Sequence, residues 1–214
     1  MMVKTMLQFL AISLLIILAA ISPGPDFAMV TKNSLFYDRK AGYFTALGVA
    51  SSLLIHATYC ILGLALIISK SLLAFSIIKY LGASYLIYIG IKSILAKRDM
   101  TSLSSHHKSQ HSLSDWQAFR QGLLCNLLNP KAIMFLLAFF TLVVKPGSSL
   151  WVELSYGLEI AVIHLIWFSL LAYMLTHKFV KSSINKMQYY IVKLMGALLI
   201  GFGVRIATLH SEFI

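Results

Sequence analysis

Long apolar stretches follow one another along the chain, and short polar connections separate them. The stretches cover approximately residues 6–21, 42–68, 72–95, 118–144, 150–175 and 189–209. Each is long enough, or nearly so, to cross about 30 Å of hydrocarbon as an α-helix of roughly 20 residues. The pattern therefore predicts an all-α integral membrane protein with six transmembrane helices.

The first stretch has two interpretations. Lys4, an apolar core and the small residues Ala19 and Ala20 are also features of a cleaved signal peptide. However, the chain continues with two prolines and has no clear A-x-A cleavage site. The sequence therefore favours a first helix that is retained in the membrane.

Composition agrees with the prediction of a membrane protein and argues against a soluble domain or a nucleic-acid-binding protein. Hydrophobic residues make up 59% of the 214 residues and charged residues 12%, whereas an ordinary soluble domain has about 25% charged residues. The net charge of +11 does not indicate nucleic-acid binding, because the basic residues lie singly between apolar stretches rather than on one face. Cys60 and Cys125 lie within apolar stretches without a paired spacing, so we predict free thiols.

Lysine and arginine are distributed unequally between the two sides of the predicted helices. The connections after the first, third and fifth helices hold ten of them, whereas the opposite side holds only Lys4, Lys70, Lys145 and Arg205. By the positive-inside rule, the richer side lies in the cytoplasm. This places both termini outside.

The chain divides into two halves of three predicted helices each. Residues 1–95 form the first half, the polar segment 96–117 is a cytoplasmic linker, and residues 118–214 form the second half. Weak matches link the halves in the same order: residues 79–83 with 193–197, His56 with His164, and Pro25 with Pro130. Because three is an odd number, the second half enters the membrane from the opposite side, which predicts an inverted repeat.

Prolines interrupt the first and fourth helices. Pro25 and Pro130 each remove a backbone donor and leave carbonyls near residues 21 and 126 without helical partners. Freed carbonyls are tolerated at membrane depth only where they face protein or a water-filled cavity. Two related breaks therefore predict a central binding cavity, in which the half-helix N-termini can hold a carboxylate.

Polar residues adjoin both breaks. Asp26 follows Pro25 and Lys131 follows Pro130, and the inverted repeat predicts that these opposite charges meet at the centre. The other interpretation of Asp26 is a helix cap at the cytoplasmic interface. Asn126 and Asn129 either bind substrate or satisfy the broken backbone, and the sequence does not separate these roles.

Further titratable residues are candidates for proton coupling. His56 and His164 occupy matching places in the two halves and can act as proton relays or as helix-helix hydrogen-bond partners. Glu159 is a second acidic candidate, although it can also lie at an interface. The histidines of the linker, His106, His107 and His111, have no acidic or thiol partner, so we predict no metal site, and no motif indicates a cofactor.

The motifs at the breaks also carry a family resemblance. The stretch "ISPGPDFAMVTKNSLFYDRKAGYFTALGVA" is similar to the N-terminal signature of the amino-acid exporter family that includes lysine exporters and homoserine/threonine exporters. The stretches "YLGASYLIYIGIKSI" and "GLLCNLLNPKAIMFLLAFF" resemble the third and fourth helices of that family. The residues that match the two break motifs are Pro23, Gly24, Pro25 and Asp26, and Asn129, Pro130, Lys131 and Ala132.

The resemblance implies export of amino acids from the cytoplasm across the inner bacterial membrane, driven by protons. Neutral and basic substrates both occur in the family, and the likeness is closer to the homoserine/threonine branch. We expect the substrate carboxylate near Gly24, Pro25, Pro130 and Lys131, and its ammonium near Asp26.

Other functions remain open at this stage. An exporter or channel for another small solute or ion can use the same repeats, whereas an intramembrane enzyme lacks a recognisable Ser-His-Asp or metal spacing. Small residues such as Gly196, Gly201 and Gly203 suit packing within the chain or a homodimer equally well.

Overall fold

The computed structural model describes residues 2–22, 24–70, 72–95, 112–143 and 148–176, with isolated positions between 193 and 208. Pro23, most of the predicted linker with its histidines, and most of the sixth predicted helix lie outside the described residues. All regular structure within the described ranges is helical. The helices are α1 (Met2–Ile21), α2 (Pro25–Phe36), α3 (Arg39–Lys70), α4 (Leu72–Leu95), α5 (Asp115–Leu127), α6 (Pro130–Val143) and α7 (Leu150–Leu175).

Apolar length identifies the helices of the described part that can cross a membrane. The segment Arg39–Gly63 of α3 and the whole of α7 are each long and apolar enough to do so alone. Two bent pairs, α1 with α2 and α5 with α6, add up to two further spans if each pair is one broken helix. The described part of the chain thus contains between two and four candidate spans, and the prediction of an all-helical membrane protein is confirmed.

The helices break at the two positions that were predicted from the prolines. Helix α1 bends by 56° into α2, and α5 bends by 59° into α6. Pro25 and Pro130 are each the first residue of the second helix in their pair, a position where the missing N–H removes no helical bond and the fixed φ angle is favourable. At both breaks, a proline therefore ends one half-helix and starts the next.

Helix α5 begins at Asp115, three residues before the apolar stretch from which it was predicted. Ser114 Oγ accepts a hydrogen bond from the N–H of Gln117 (3.2 Å), and the side chain of Gln117 accepts from the N–H of Ser114 (3.1 Å). This capping box satisfies two donors of the first turn. The apolar pattern did not identify that turn because Asp115 and Gln117 are polar and Trp116 stands alone between them.

Helix α3 is the central packing element, since it contacts α2, α4, α5, α6 and α7. Its crossing with α5 is very close, because a Cβ atom at Gly48 would collide with the Phe119 carbonyl and one at Gly122 with the Thr45 carbonyl. Helix α7 packs against α3 and also against α1 and α2. The two broken pairs are thereby held on the two long helices, with their breaks directed inward.

Candidate functional site

A cavity of about 40 Å³ lies between the two helix breaks. This volume has room for a few water molecules. Helices α1 to α7 and both breaks all contribute to its wall, which combines a polar part with a larger apolar part. The lining residues are Ala19, Ala20, Ser22, Gly24, Asp26, Phe27, Leu53, Tyr85, Leu86, Asn126, Asn129, Lys131, Ala132, Phe135, Leu136, His164 and Phe168.

Asp26 belongs to the first break but is bound by the second. Its Oδ2 atom accepts hydrogen bonds from Asn126 Nδ2 (3.0 Å) and Asn129 Nδ2 (2.9 Å). The thiol of Cys125, a weak donor, lies beside the same carboxyl group. The Oδ1 atom is buried and has no hydrogen-bond partner among the described residues. Asp26 therefore retains acceptor capacity in the wall of the cavity.

Lys131 shows the converse arrangement, since it belongs to the second break and binds the first. Its Nζ atom donates to the carbonyl oxygen of Ser22 (2.8 Å) and to Ser22 Oγ (2.9 Å). The Ser22 carbonyl lies between the end of α1 and the proline break, where a helical partner is absent. Lys131 thus satisfies a carbonyl of the kind that the break was predicted to leave free.

The two asparagines have different partners. Asn129 Oδ1 accepts from the backbone N–H of Lys131 (3.0 Å) and so caps the first turn of α6. Asn126 donates to Asp26, but its Oδ1 is buried without a partner among the described residues. One N–H group at the start of α6 is therefore already bound by Asn129. Asn126 Oδ1, like Asp26 Oδ1, remains available as an acceptor.

The start of α2 has no side-chain cap, because the residue before it is Gly24. A Cβ atom at this position would lie 3.3 Å from both Cδ and Nζ of Lys131. The absence of a side chain lets the Lys131 ammonium approach the first break closely. Gly24 thus contributes space rather than a functional group.

His56 lies behind the cavity and outside its lining. Its Nε2 atom is 3.1 Å from the carbonyl oxygen of Asn126, and its Nδ1 atom contacts the Tyr59 hydroxyl. Because a carbonyl only accepts, Nε2 carries the hydrogen, and Nδ1 accepts from Tyr59. The Asn126 carbonyl, which loses its helical partner at Pro130, also accepts the N–H of Asn129 (2.9 Å), so His56 is its second donor.

The remaining proton-coupling candidates lie in different surroundings. His164 is buried in the cavity wall, and its Nδ1 atom donates to the Ile160 carbonyl within α7 (2.8 Å). Glu159 lies outside the lining and accepts a hydrogen bond from Ser13 Oγ of α1 (2.6 Å). The structure therefore brings His164 to the cavity and places Glu159 between α1 and α7.

Sequence reasoning missed several residues of the wall. Ser22 carries no motif signal beyond being a small polar residue directly before the break. The aromatic side chains Tyr85, Phe135 and Phe168 come from three different helices, and nothing in an apolar stretch marks them as lining. No group of three or more His, Cys, Asp or Glu residues suited to a metal ion occurs within the described ranges.

Comparison with known proteins identifies the family. The family profile described as LysE type translocator matches residues 17–210. The uncharacterized membrane protein YrhP of Bacillus subtilis (strain 168) is 36% identical over 193 residues, which cover 86% of this chain and 91% of that protein. No solved structure matches the chain.

Two further relatives have names that state an activity. The threonine efflux protein of Salmonella typhimurium is 31% identical over 206 residues, covering 94% of this chain and 98% of that protein. The leucine efflux protein of Salmonella choleraesuis is 32% identical over 196 residues, covering 88% of this chain and 89% of that protein. The chain therefore belongs to the LysE type translocator family and is a membrane transporter rather than an enzyme.

Proposed function

We propose that the protein exports an amino acid from the cytoplasm across the inner bacterial membrane in exchange for protons. The relatives named threonine and leucine efflux proteins support the substrate class and direction. The observation that carries the proposal is the cavity between the two breaks, in whose wall Asp26 and Lys131 provide opposite charges. The ammonium and carboxylate groups of an amino acid lie within a few ångströms of each other, so its binding site requires a negative and a positive group at a similar spacing.

The architecture that we propose is six transmembrane helices arranged as two inverted three-helix repeats. Residues 1–95 and 118–214 form the repeats, residues 96–117 form the cytoplasmic linker, and both termini lie outside. Similar bends of 56° and 59° support it. A second support is reciprocal packing: α3 contacts the broken pair α5 and α6, and α7 contacts the broken pair α1 and α2.

The substrate ammonium binds Asp26 Oδ1 and Asn126 Oδ1 in this proposal. Both oxygens are buried acceptors without partners in the described part of the chain, and buried polar atoms of this kind are rarely left unsatisfied. An ammonium has three N–H donors and can satisfy both. The substrate carboxylate then lies towards Lys131 and the uncapped start of α2 at Gly24 and Pro25, where helix polarity favours an anion.

Proton coupling is assigned to Asp26. Protonation of this carboxyl group from outside removes the negative partner of the ammonium and favours release, so that proton entry accompanies substrate exit. His164 is the alternative proton carrier, because it lies in the same wall. His56 and Glu159 contribute less directly, since both are engaged away from the cavity.

The cavity must widen during transport. Its volume of about 40 Å³ suits a few water molecules rather than a whole amino acid. In an inverted repeat, one half rocks against the other around the binding site. We therefore assign substrate loading to a conformation in which the two breaks have moved apart.

Efflux from cells tests the proposal. Bacteria that express the protein are loaded with dipeptides, and the amino acids that appear in the medium are measured with and without a protonophore. We expect selective export that is lost with the protonophore and in Asp26→Asn. The matched control is Asp115→Asn, which removes an exposed carboxylate paired with Lys40 (2.8 Å), because such surface pairs contribute only about 0–1 kcal/mol.

Each outcome has a defined meaning when the variants are present in the membrane in equal amounts. Export of wild-type rate by Asp26→Asn would remove Asp26 from the coupling mechanism. Export that persists with the protonophore and stops at equal concentrations would indicate a channel. Medium identical to that of empty-vector cells would overturn amino-acid export and leave another small solute as the substrate.

A further inference from the structure

We infer that the exported amino acid has an uncharged, apolar side chain, and that the apolar part of the cavity wall selects it. This inference rests on the proposed function, because it assumes that the cavity holds an amino acid by its ammonium and carboxylate groups. The relatives named for threonine and for leucine efflux leave the choice open. The distribution of polar and apolar groups in the wall decides between them.

The polar groups of the wall are concentrated at the breaks and bind one another. Lys131 donates to Ser22, and Asn126 and Asn129 donate to Asp26. The acceptors that remain, Asp26 Oδ1 and Asn126 Oδ1, are assigned to the ammonium. The break region therefore binds the part of the substrate that all amino acids share.

The rest of the wall is mainly hydrocarbon. Leu53 of α3, Leu86 of α4, Phe135 and Leu136 of α6, and Phe168 of α7 each line it and are all more than nine-tenths buried. These side chains face the cavity from four helices. A substrate side chain that points away from the breaks meets them on several sides.

Two polar groups remain in this apolar part. His164 already donates from Nδ1 to the Ile160 carbonyl. Tyr85 contributes a single hydroxyl group from α4. A hydroxyl group on the substrate thus finds few hydrogen-bond partners in this part of the wall. Its burial without a hydrogen bond costs free energy.

A basic side chain is disfavoured more strongly. Among the described residues that line the cavity, Asp26 is the only carboxylate, and the α-ammonium requires it. Glu159 lies outside the lining and is bound by Ser13. The second ammonium of lysine would therefore be buried against leucine and phenylalanine side chains without a counter-charge.

The direct test compares valine with threonine, which have nearly the same shape and differ by a methyl or a hydroxyl group. The full chain is reconstituted in proteoliposomes, and counterflow of labelled leucine, valine, threonine and lysine is measured. We expect valine to exceed threonine by about 10- to 100-fold in transport efficiency, the range that an apolar pocket provides against a hydroxyl group. Lysine counterflow is expected at the level of empty liposomes.

A variant pair on α4 sharpens the test. Tyr85→Phe removes the hydroxyl group of the apolar wall and is expected to increase the preference for valine over threonine. Tyr88→Phe is the matched control, because Tyr88 is 56% exposed and does not line the cavity. It is expected to leave the preference at its wild-type value.

The outcomes separate this inference from the proposal on which it rests. Counterflow of threonine equal to or faster than that of valine, or counterflow of lysine, would overturn the inference and leave amino-acid export standing. Failure of every amino acid in the panel to exchange would overturn both. A valine preference that Tyr88→Phe changes as much as Tyr85→Phe would contradict the assignment of selectivity to the cavity wall.

Discussion

The two helix breaks share a backbone design but carry opposite chemistry. At each break an α-helix ends, a proline starts the next helix, and an ionisable residue follows the proline. The first break presents the Asp26 carboxylate, the Ser22 carbonyl without a helical partner, and Gly24. The second presents an ammonium, two amide groups and a capped helix start.

This difference makes each break the partner of the other. Asp26 of the first break receives hydrogen bonds from the second, and Lys131 of the second donates to Ser22 of the first. Each charged group is thus bound by residues of the other break. The cavity therefore depends on both halves of the chain, and variants at the breaks are expected to differ in effect according to which partner is left behind.

Lys131→Met is expected to have the largest effect. It leaves the carbonyl and hydroxyl groups of Ser22 without this donor and removes the positive charge from the wall that holds Asp26. We expect export below detection and a loss of about 3 kcal/mol in stability, as for one partner removed from a buried charged network. Efflux and thermal unfolding in detergent measure the two effects.

The control for this variant is Lys32→Met, which removes an exposed lysine on α2. Adding Asp26→Asn to Lys131→Met is expected to recover part of the lost stability but not export, because it removes the unbalanced carboxylate. Wild-type export by Lys131→Met would show that the charge of the second break is not used in transport.

Asn126→Ala and Asn129→Ala are expected to have intermediate and distinct effects. Asn126→Ala removes the unpartnered acceptor proposed for the ammonium together with one donor to Asp26. We expect the KM for export to rise and stability to fall by about 1 kcal/mol. Asn129→Ala removes the cap of α6 as well as a donor to Asp26, which together cost about 1–2 kcal/mol in stability. Transport kinetics and unfolding measured on both variants compare them, and identical behaviour would contradict the division of roles.

Gly24→Ala is expected to have the smallest effect. The new Cβ atom lies 3.3 Å from the end of the Lys131 side chain, which is flexible and can shift by a few tenths of an ångström. We expect a cost of roughly 0.5–1 kcal/mol, or about a two- to five-fold lower transport efficiency. Gly63→Ala is the control, since nothing lies within 4 Å of its added Cβ atom, and an equal loss in both variants would argue against crowding of Lys131.

The breaks themselves were predictable from sequence. A proline within a long apolar stretch cannot donate to the preceding turn, so the positions of Pro25 and Pro130 determined where α2 and α6 begin. The residue that follows each proline, Asp26 or Lys131, was predicted to face a central cavity, and both line one. Local chemistry was sufficient for these features because they depend on neighbours in the chain.

The partners across the cavity were not predictable to the same degree. The bond from Lys131 to Ser22 and the aromatic wall of Phe135 and Phe168 depend on how helices pack, which an apolar stretch does not encode by periodicity when it is apolar on every side. Similarly, matching positions suggested a shared role for His56 and His164. Packing instead directs His56 to the Asn126 carbonyl and His164 to the cavity.

The reciprocal bonds between the breaks also set an order of events during synthesis. The partners that stabilise the first break lie 100 to 109 residues further along the chain. At a translation rate of about 5–20 residues per second, the first break is complete on the order of 5 to 20 s before those partners emerge. During that interval the first break lacks the partners that bind its carboxylate and its carbonyl, so synthesis of the second half completes the first.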